Sequence, residues 1–220
     1  MNAISYARNG GHQVYAFEPT QSKLVTIRKN LAESGVASNV TLFDVALSNY
    51  TGQATFWVSD SGSEQDTLSR PKWDGAVAMT VRVARLDDFV GPSASVLYAK
   101  IDAQGHDPEV LLGAEQLLSS QRLRTLAFEV WPGGSAEEPY AQAMAMLARH
   151  GYVCHDCSRP VHKGIADHGP WPVDAVLRNI SLGMKRHRGV NHGEYGVPYT
   201  DFVCFARGVI PATPHGRAKT

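Results

Sequence analysis

The sequence lacks the features that mark several large classes of protein. Its 220 residues carry 21 Lys and Arg against 21 Asp and Glu, so the formal net charge is zero. Without a basic excess, we expect neither nucleic acid nor an anionic membrane surface to be a partner. No apolar run approaches the roughly 18 to 20 residues that a membrane span needs, so we expect no membrane-embedded segment.

Cysteine is also scarce. The three cysteines are an odd number, which does not indicate a disulfide framework, and a reducing, cytoplasmic compartment is the default expectation. Cys154 and Cys157 form a C-x-x-C pair, but no second pair of ligands follows at the spacing of a standard zinc module. We therefore predict two ordinary thiols at a strand end, a buried Cys204 and no metal site.

What the sequence does contain is an alternation of predicted strands and helices. This order implies strand–helix–strand crossovers, and so an α/β fold with a mainly parallel sheet that ends in an antiparallel edge pair. The near-continuous apolar segment SVLYAKI, residues 95–101, suits a central strand that is covered on both faces. We predict one domain over residues 1–207, with a long irregular insertion at 158–198 and a disordered tail at 208–220.

Acidic residues follow several of the predicted strands. Glu18 follows VYAF, Asp44 follows VTLF, Asp102 follows LYAKI, and Glu129 follows TLAF. Ligands of open α/β sheets bind outside the carboxyl ends of the strands, so these acids are candidates for a polar ligand site. Glu18 suits a bidentate hydrogen bond to ribose hydroxyls. The alternative is that Glu18 caps the helix that follows, where negative charge is favoured.

Five segments of the chain resemble the FkbM-type methyltransferases in their order and separations. They are VYAFEP, NVTLFDVALSNYTGQATFWV, VRVARLDDFV, KIDAQGHDPEVLLGAEQLL and TLAFEVW. The resemblance covers about residues 3–130 and implies a Rossmann-like sheet of the class I methyltransferase fold. It also implies S-adenosyl-L-methionine as the cofactor, and methyl transfer to a hydroxyl of a sugar or another small hydroxylated acceptor as the activity.

The resemblance implies roles for particular residues toward the cofactor. Glu18 matches the acid that contacts the ribose. Asp44, Val45 and Ala46 match the stretch that lies by the adenine. Asp102 matches the acid that faces both the methionine end of the cofactor and the acceptor, and it is therefore a candidate for cofactor binding and for catalysis.

The turn after Asp102 carries further candidates. Gln104 stands where many relatives carry Glu. His106 is the candidate general base, because the ordinary pKa of histidine lies near neutrality, although it could equally pack over the strand end. Asp107 is predicted to be the N-cap of a helix that begins at Pro108 and runs to about Ser119.

The first strand of the family has no counterpart in the sequence. Relatives begin with a strand and a D-x-G-A-N-x-G type of loop, whose glycines let the backbone approach the cofactor. We therefore expect an N-terminally truncated fold and weak cofactor binding. Two alternatives stay open: a non-catalytic remnant of the fold that no longer binds cofactor, and a nicotinamide-dependent oxidoreductase, which the absence of G-x-G-x-x-G disfavours.

Overall fold

The computed structural model describes six stretches of the chain: residues 3–8, 12–59, 66–69, 75–130, 137–156 and 200–209. The chain divides into two compact units, Met1–Arg85 and Leu86–Thr220. The single domain predicted over residues 1–207 stays a prediction. The predicted insertion at 158–198 lies outside the described residues, as does nearly all of the predicted tail.

The first unit contains two small sheets. Its elements are α1 (Ala3–Arg8), β1 (Val14–Phe17), α2 (Gln21–Glu33), β2 (Val40–Phe43), β3 (Ala46–Leu47), β4 (Gly52–Ser59) and β5 (Ala76–Ala84). β1 and β2 form a parallel pair, and β3, β5 and β4 form a second sheet in that order. The chain therefore changes sheet at Asp44, between β2 and β3.

Helix α2 forms because its apolar residues recur on one face. Leu24 and Leu31 are buried, and Leu31 joins a core cluster with Val36 and Val40. The helix ends at Glu33, and Gly35 follows its C-cap residue with a φ of +68°, a conformation that glycine adopts without steric cost. The N–H of Val36 then donates to Leu31 O at 3.2 Å, the bond that defines a Schellman motif.

The second unit is built on one four-stranded sheet with the order β6-β7-β9-β8. Its elements are β6 (Val96–Lys100), α3 (Asp107–Leu112), α4 (Glu115–Ser119), β7 (Leu123–Val130), α5 (Glu137–Arg149), β8 (Val153–Asp156) and β9 (Thr200–Phe205). β6 and β7 are parallel, whereas β9 is antiparallel to both β7 and β8. The last two strands thus form the predicted antiparallel edge pair.

The sheets are mixed rather than mainly parallel. Within the described stretches, three strand pairs are parallel and three are antiparallel. The prediction of a central position for SVLYAKI is also not met, because β6 pairs only with β7 in these stretches and Leu97 is 62% exposed. The apolar run correctly predicts that this segment is a strand, but it does not predict how many strands pair with it.

The helix predicted from Pro108 to about Ser119 is two short helices, α3 and α4, which are separated at Gly113 and Ala114. Ala114, the N-cap residue of α4, has no side chain that can cap. Asp87 takes that role, because its carboxylate accepts the N–H groups of Gln116 and Leu117 at 2.9 and 3.0 Å. None of the helices in the described residues is long and apolar enough to cross a membrane.

The prediction of an ordinary thiol is wrong for Cys154. Cys154 and Cys204 form a disulfide, and both side chains are buried, as expected for Cys204. They lie directly opposite each other on antiparallel β8 and β9, which brings their side chains together. Fifty positions separate them in the sequence, so spacing alone gave no sign of the pairing. Cys157 lies outside the described residues.

Candidate functional site

Two acidic residues follow the paired ends of β1 and β2. Phe17 and Phe43 are partners in the parallel register, and their rings stack at a centroid distance of 5.1 Å. The N–H of Glu18 continues the ladder by donating to Phe43 O at 3.1 Å. Glu18 and Asp44, the next residue of each strand, therefore leave the sheet at the same edge. We call these two residues the first rim.

Both carboxylates of the first rim bond to the start of α2. Glu18 Oε1 accepts the N–H of Thr20 at 2.8 Å, and Thr20 is the N-cap residue of the helix. Asp44 Oδ2 accepts Nε2 of Gln21 at 2.5 Å. The capping alternative for Glu18 is thus realised in part, since it bonds the N–H of the cap residue and not those of the first turn. Glu18 is half-buried and Asp44 is exposed.

Ala46 lies in a different environment from the two rim acids. It begins β3, is 7% exposed, and belongs to a core cluster with Phe56, Val81 and Val83. Val45 before it is also buried. The side chain of Ala46 therefore packs in the core of the small sheet, and its role beside an adenine stays a prediction.

A second group of acids lies at the carboxyl ends of β6 and β7. Ile101 donates its N–H to Ala127 O at 2.8 Å, and Asp102 follows directly. Asp107 lies at the start of α3, and Glu129 lies two residues beyond Ala127 on β7. We call Asp102, Asp107 and Glu129 the second rim.

A tight turn connects Asp102 to α3. His106 donates its N–H to Ala103 O at 3.2 Å, which closes a turn around Gln104 and Gly105. Both central residues have positive φ, +50° and +87°, as in type I′ turns. This conformation is costly for Gln104, which has a Cβ atom. Its Nε2 donates to Asp102 Oδ1 at 2.8 Å, and this bond offsets part of the cost.

Asp102 is the accessible member of the second rim. Its side chain is 52% exposed, and Lys100 Nζ lies 3.7 Å from Oδ2. Together with the bond from Gln104, these contacts hold the carboxylate at the strand end and leave it in reach of solvent. This position is compatible with the prediction that Asp102 binds a ligand.

Asp107 is not the N-cap residue that the sequence predicted. The helix begins one residue earlier, with His106 at the N-cap position, and Asp107 is fully buried. Its Oδ2 accepts the N–H of Gly105 at 3.3 Å, and its Oδ1 accepts the N–H of Glu129 at 3.4 Å. The pKa of Asp107 is raised to about 7, chiefly by burial; the charges of Asp102 and Glu129 also raise it, while backbone hydrogen bonds lower it.

The backbone of Glu129 is held by side chains at both of its polar groups. Its N–H bonds to Asp107, and its C=O accepts the hydroxyl of Tyr140 at 3.2 Å. This bond was not predicted from the sequence. A signal was present, because a buried tyrosine on an apolar face needs a partner for its hydroxyl.

His106 is buried beside Glu109. Its side chain is 14% exposed, and its Nδ1 lies 3.6 Å from Glu109 Oε2. Burial lowers the pKa of His106 to about 4 and raises that of Glu109. The general-base prediction assumed a pKa near neutrality, and the buried ring is instead a weak base. Packing at the strand end, the alternative, agrees with this burial, and the catalytic role stays a prediction.

Comparison with known proteins was made for the whole chain. A family model described as "Methyltransferase FkbM domain" matches residues 1–154, a range that includes both rims. A solved structure of methyltransferase FkbM from Methylobacillus flagellatus KT is similar at 15% identity and a TM-score of 0.42. That similarity covers 66% of this chain and 32% of the other, so this chain spans about a third of its length. No curated protein matches the chain.

Proposed function

Because the chain belongs to the FkbM methyltransferase family, we propose that it is an S-adenosyl-L-methionine-dependent methyltransferase. We propose a hydroxyl group of a sugar, or of another small hydroxylated molecule, as the acceptor. One structural observation carries the proposal: acids leave the carboxyl ends of parallel strand pairs, at β1–β2 and at β6–β7. Ligands of open α/β sheets bind at such ends.

The first rim fits the nucleoside end of the cofactor. Each of its two carboxylates makes one hydrogen bond to the start of α2, and its other oxygen has no hydrogen bond within the described residues. Glu18 would accept ribose hydroxyls with that oxygen. Asp44 would accept the amino group of the adenine, and Ala46 would lie beside the ring.

The second rim fits the methionine end and the acceptor. When bound, S-adenosyl-L-methionine supplies a methyl group on a cationic sulfonium. Asp102 is an exposed carboxylate that would favour positive charge nearby and would accept a hydrogen bond from the acceptor hydroxyl. Asp102 is better placed than His106 to meet the proton of the acceptor hydroxyl, because its side chain is 52% exposed and that of His106 is 14% exposed.

The proposal is tested by titrating the ¹⁵N-labelled chain with S-adenosyl-L-methionine, and separately with adenosine and with methionine. Chemical-shift mapping suits this test because it detects weak binding. We expect adenosine to shift amides next to Glu18 and Asp44, methionine to shift amides next to Asp102, and S-adenosyl-L-methionine to give saturable shifts.

Three variants and one control sharpen this test. Glu18→Gln and Asp44→Asn should weaken the response to adenosine, and Asp102→Asn should weaken the response to methionine. Asp88→Asn is the matched control, because Asp88 is an exposed acid that precedes β6, at the opposite end of the strand from Asp102. Shifts that do not saturate, or that Asp88→Asn reduces as much as the rim variants do, would contradict the proposal and favour a remnant without cofactor.

A further inference from the structure

The buried carboxyl of Asp107 joins two parts of the second rim. One oxygen accepts the N–H of Gly105 in the turn, and the other accepts the N–H of Glu129 on β7. The two residues lie on different elements, and Asp107 is the side chain that bonds to both. A change at this carboxyl therefore acts on the turn and on the strand end at once.

The groups that face Asp107 are mostly acidic. Asp102 in the turn and Glu129 on β7 both act on it electrostatically, and Glu109 is on the same helix. His106, also beside it, is buried against Glu109. From α5, the hydroxyl of Tyr140 donates to the carbonyl of Glu129, and Lys100 on β6 lies 3.7 Å from Asp102. Within the described residues, no Lys or Arg forms an ion pair with Asp107.

A buried acid without a cationic partner is stable in its neutral form, and its two forms bond differently. The ionised carboxylate accepts hydrogen bonds at both oxygens and repels the neighbouring carboxylates. The neutral acid has one oxygen that carries a proton and accepts more weakly. The bonds to Gly105 and Glu129, at 3.3 and 3.4 Å, are long, so either can loosen or tighten with the charge.

We propose that Asp107 is a positioning residue whose proton state sets the geometry of the Gln104–Gly105 turn and, through that turn, the orientation of the Asp102 carboxylate. Gln104 transmits the change, because its Nε2 bonds to Asp102 Oδ1 at 2.8 Å while its backbone precedes Gly105. The ionised form draws the Gly105 N–H toward the helix and repels Asp102. In the neutral form, the bond to the Gly105 N–H is weaker and the repulsion of Asp102 is absent.

The role of Asp102 toward an acceptor rests on the proposed function, but the positioning itself does not, so the test uses the protein without cofactor. The full-length chain, labelled with ¹³C and ¹⁵N, is titrated by NMR from pH 5 to 9. The carboxyl carbons of Asp107 and Asp102 and the amides of Gly105 and Glu129 are followed. The amides of Gln116 and Leu117, which bond to Asp87, are the internal reference for general pH effects.

We expect one transition with a shared midpoint at the Asp107 carboxyl, the Gly105 and Glu129 amides and the Asp102 carboxyl, and we expect the reference amides not to follow it. Asp107→Asn, which fixes a neutral side chain, should abolish the transition at Gly105, Glu129 and Asp102. An Asp107 carboxyl that does not titrate in this range would overturn the proposal. The proposal would also be overturned if the chemical shift of the Asp102 carboxyl carbon showed no change at the midpoint of the Asp107 titration. The titration of the natural chain decides both points even if Asp107→Asn does not fold.

Discussion

The two rims place acids at equivalent positions, after parallel strands, yet they differ in how the carboxylates are satisfied. Glu18 and Asp44 in the first rim are half-buried and exposed, and each bonds to one group at the start of α2. In the second rim, Asp107 is fully buried and accepts long hydrogen bonds from the N–H groups of Gly105 and Glu129, while Asp102 is exposed. The acids of the first rim are thus accessible to solvent, whereas the second rim combines the exposed Asp102 with the buried Asp107.

This difference separates two uses of a carboxylate at a strand end. A solvated acid keeps its charge at neutral pH and can exchange water for a polar ligand at small cost. A buried acid near other acids favours the proton-bound form, so it couples folding to pH. We therefore expect variants of the buried acid Asp107 to change stability and variants of the solvated acids to change binding.

The largest expected effect is on the pH dependence of stability in the second unit. Asp107 has its pKa raised from 3.8 to about 7, so its contribution is fully present below pH 4 and is lost as the pH rises through 7. His106 has its pKa lowered from 6.5 to about 4, so its contribution is present above pH 6.5 and is lost as the pH falls through 4. The two pKa shifts correspond to about 4 kcal/mol for Asp107 and about 3 kcal/mol for His106, and these two contributions to stability oppose each other.

Single variants should reveal the two opposing effects. In the Asp107→Asn variant, the stability of the second unit should increase as the pH rises from 4 to 7. In the His106→Gln variant, it should decrease over the same range. The natural chain should lie between them, and the double variant should keep the pH dependence of Glu109, whose pKa burial also raises. Hydrogen exchange of the β7 amides measures the local free energy of opening in this unit. Parallel slopes in the natural chain and both single variants would refute the assignment.

These opposing effects also show where prediction from the sequence stopped. Glu18, Asp44 and Asp102 were predicted at strand ends because a polar residue that breaks an apolar run is a local signal. The burial of Asp107 was not predicted, because an acid before Pro108 looks like a helix cap and its partner Glu129 lies 22 residues away. The disulfide and the edge position of β6 were missed for the same reason, since both depend on pairing between distant segments.

The next effect concerns the turn of the second rim, because the first rim has no residue with positive φ. Gly105→Ala should lower the stability of the second unit by about 1 to 2 kcal/mol, the cost of a left-handed conformation for a residue with a Cβ atom. The added Cβ meets no atom within 4 Å at Gly105, so sterics with neighbours add nothing. Gly91→Ala is the control: its Cβ also has open space, and its φ is not positive. Equal losses in the two variants would show that the turn is unstrained.

A smaller effect is expected at the far side of the second rim. Tyr140→Phe removes the hydroxyl bonded to the carbonyl of Glu129 and should cost about 1 kcal/mol. Tyr152→Phe removes a similar bond to the carbonyl of Leu123, at the other end of β7, and is the matched control. Both should lower the free energy of unfolding, but only Tyr140→Phe should speed hydrogen exchange at Glu129. Equal exchange at Glu129 in the two variants would mean that Tyr140 does not hold the rim.

The smallest effect on stability is expected in the first rim, where binding should change instead. Glu18→Gln and Asp44→Asn remove charge but keep the shape of the side chains, so each should alter the free energy of unfolding by less than about 0.5 kcal/mol. Urea unfolding measures this, and titration with adenosine measures binding to the same variants. A loss of adenosine binding with stability unchanged would assign the two acids to a ligand. A loss of stability above about 1 kcal/mol with binding unchanged would instead assign them to the start of α2, since their bonds to Thr20 and Gln21 would then be what matters.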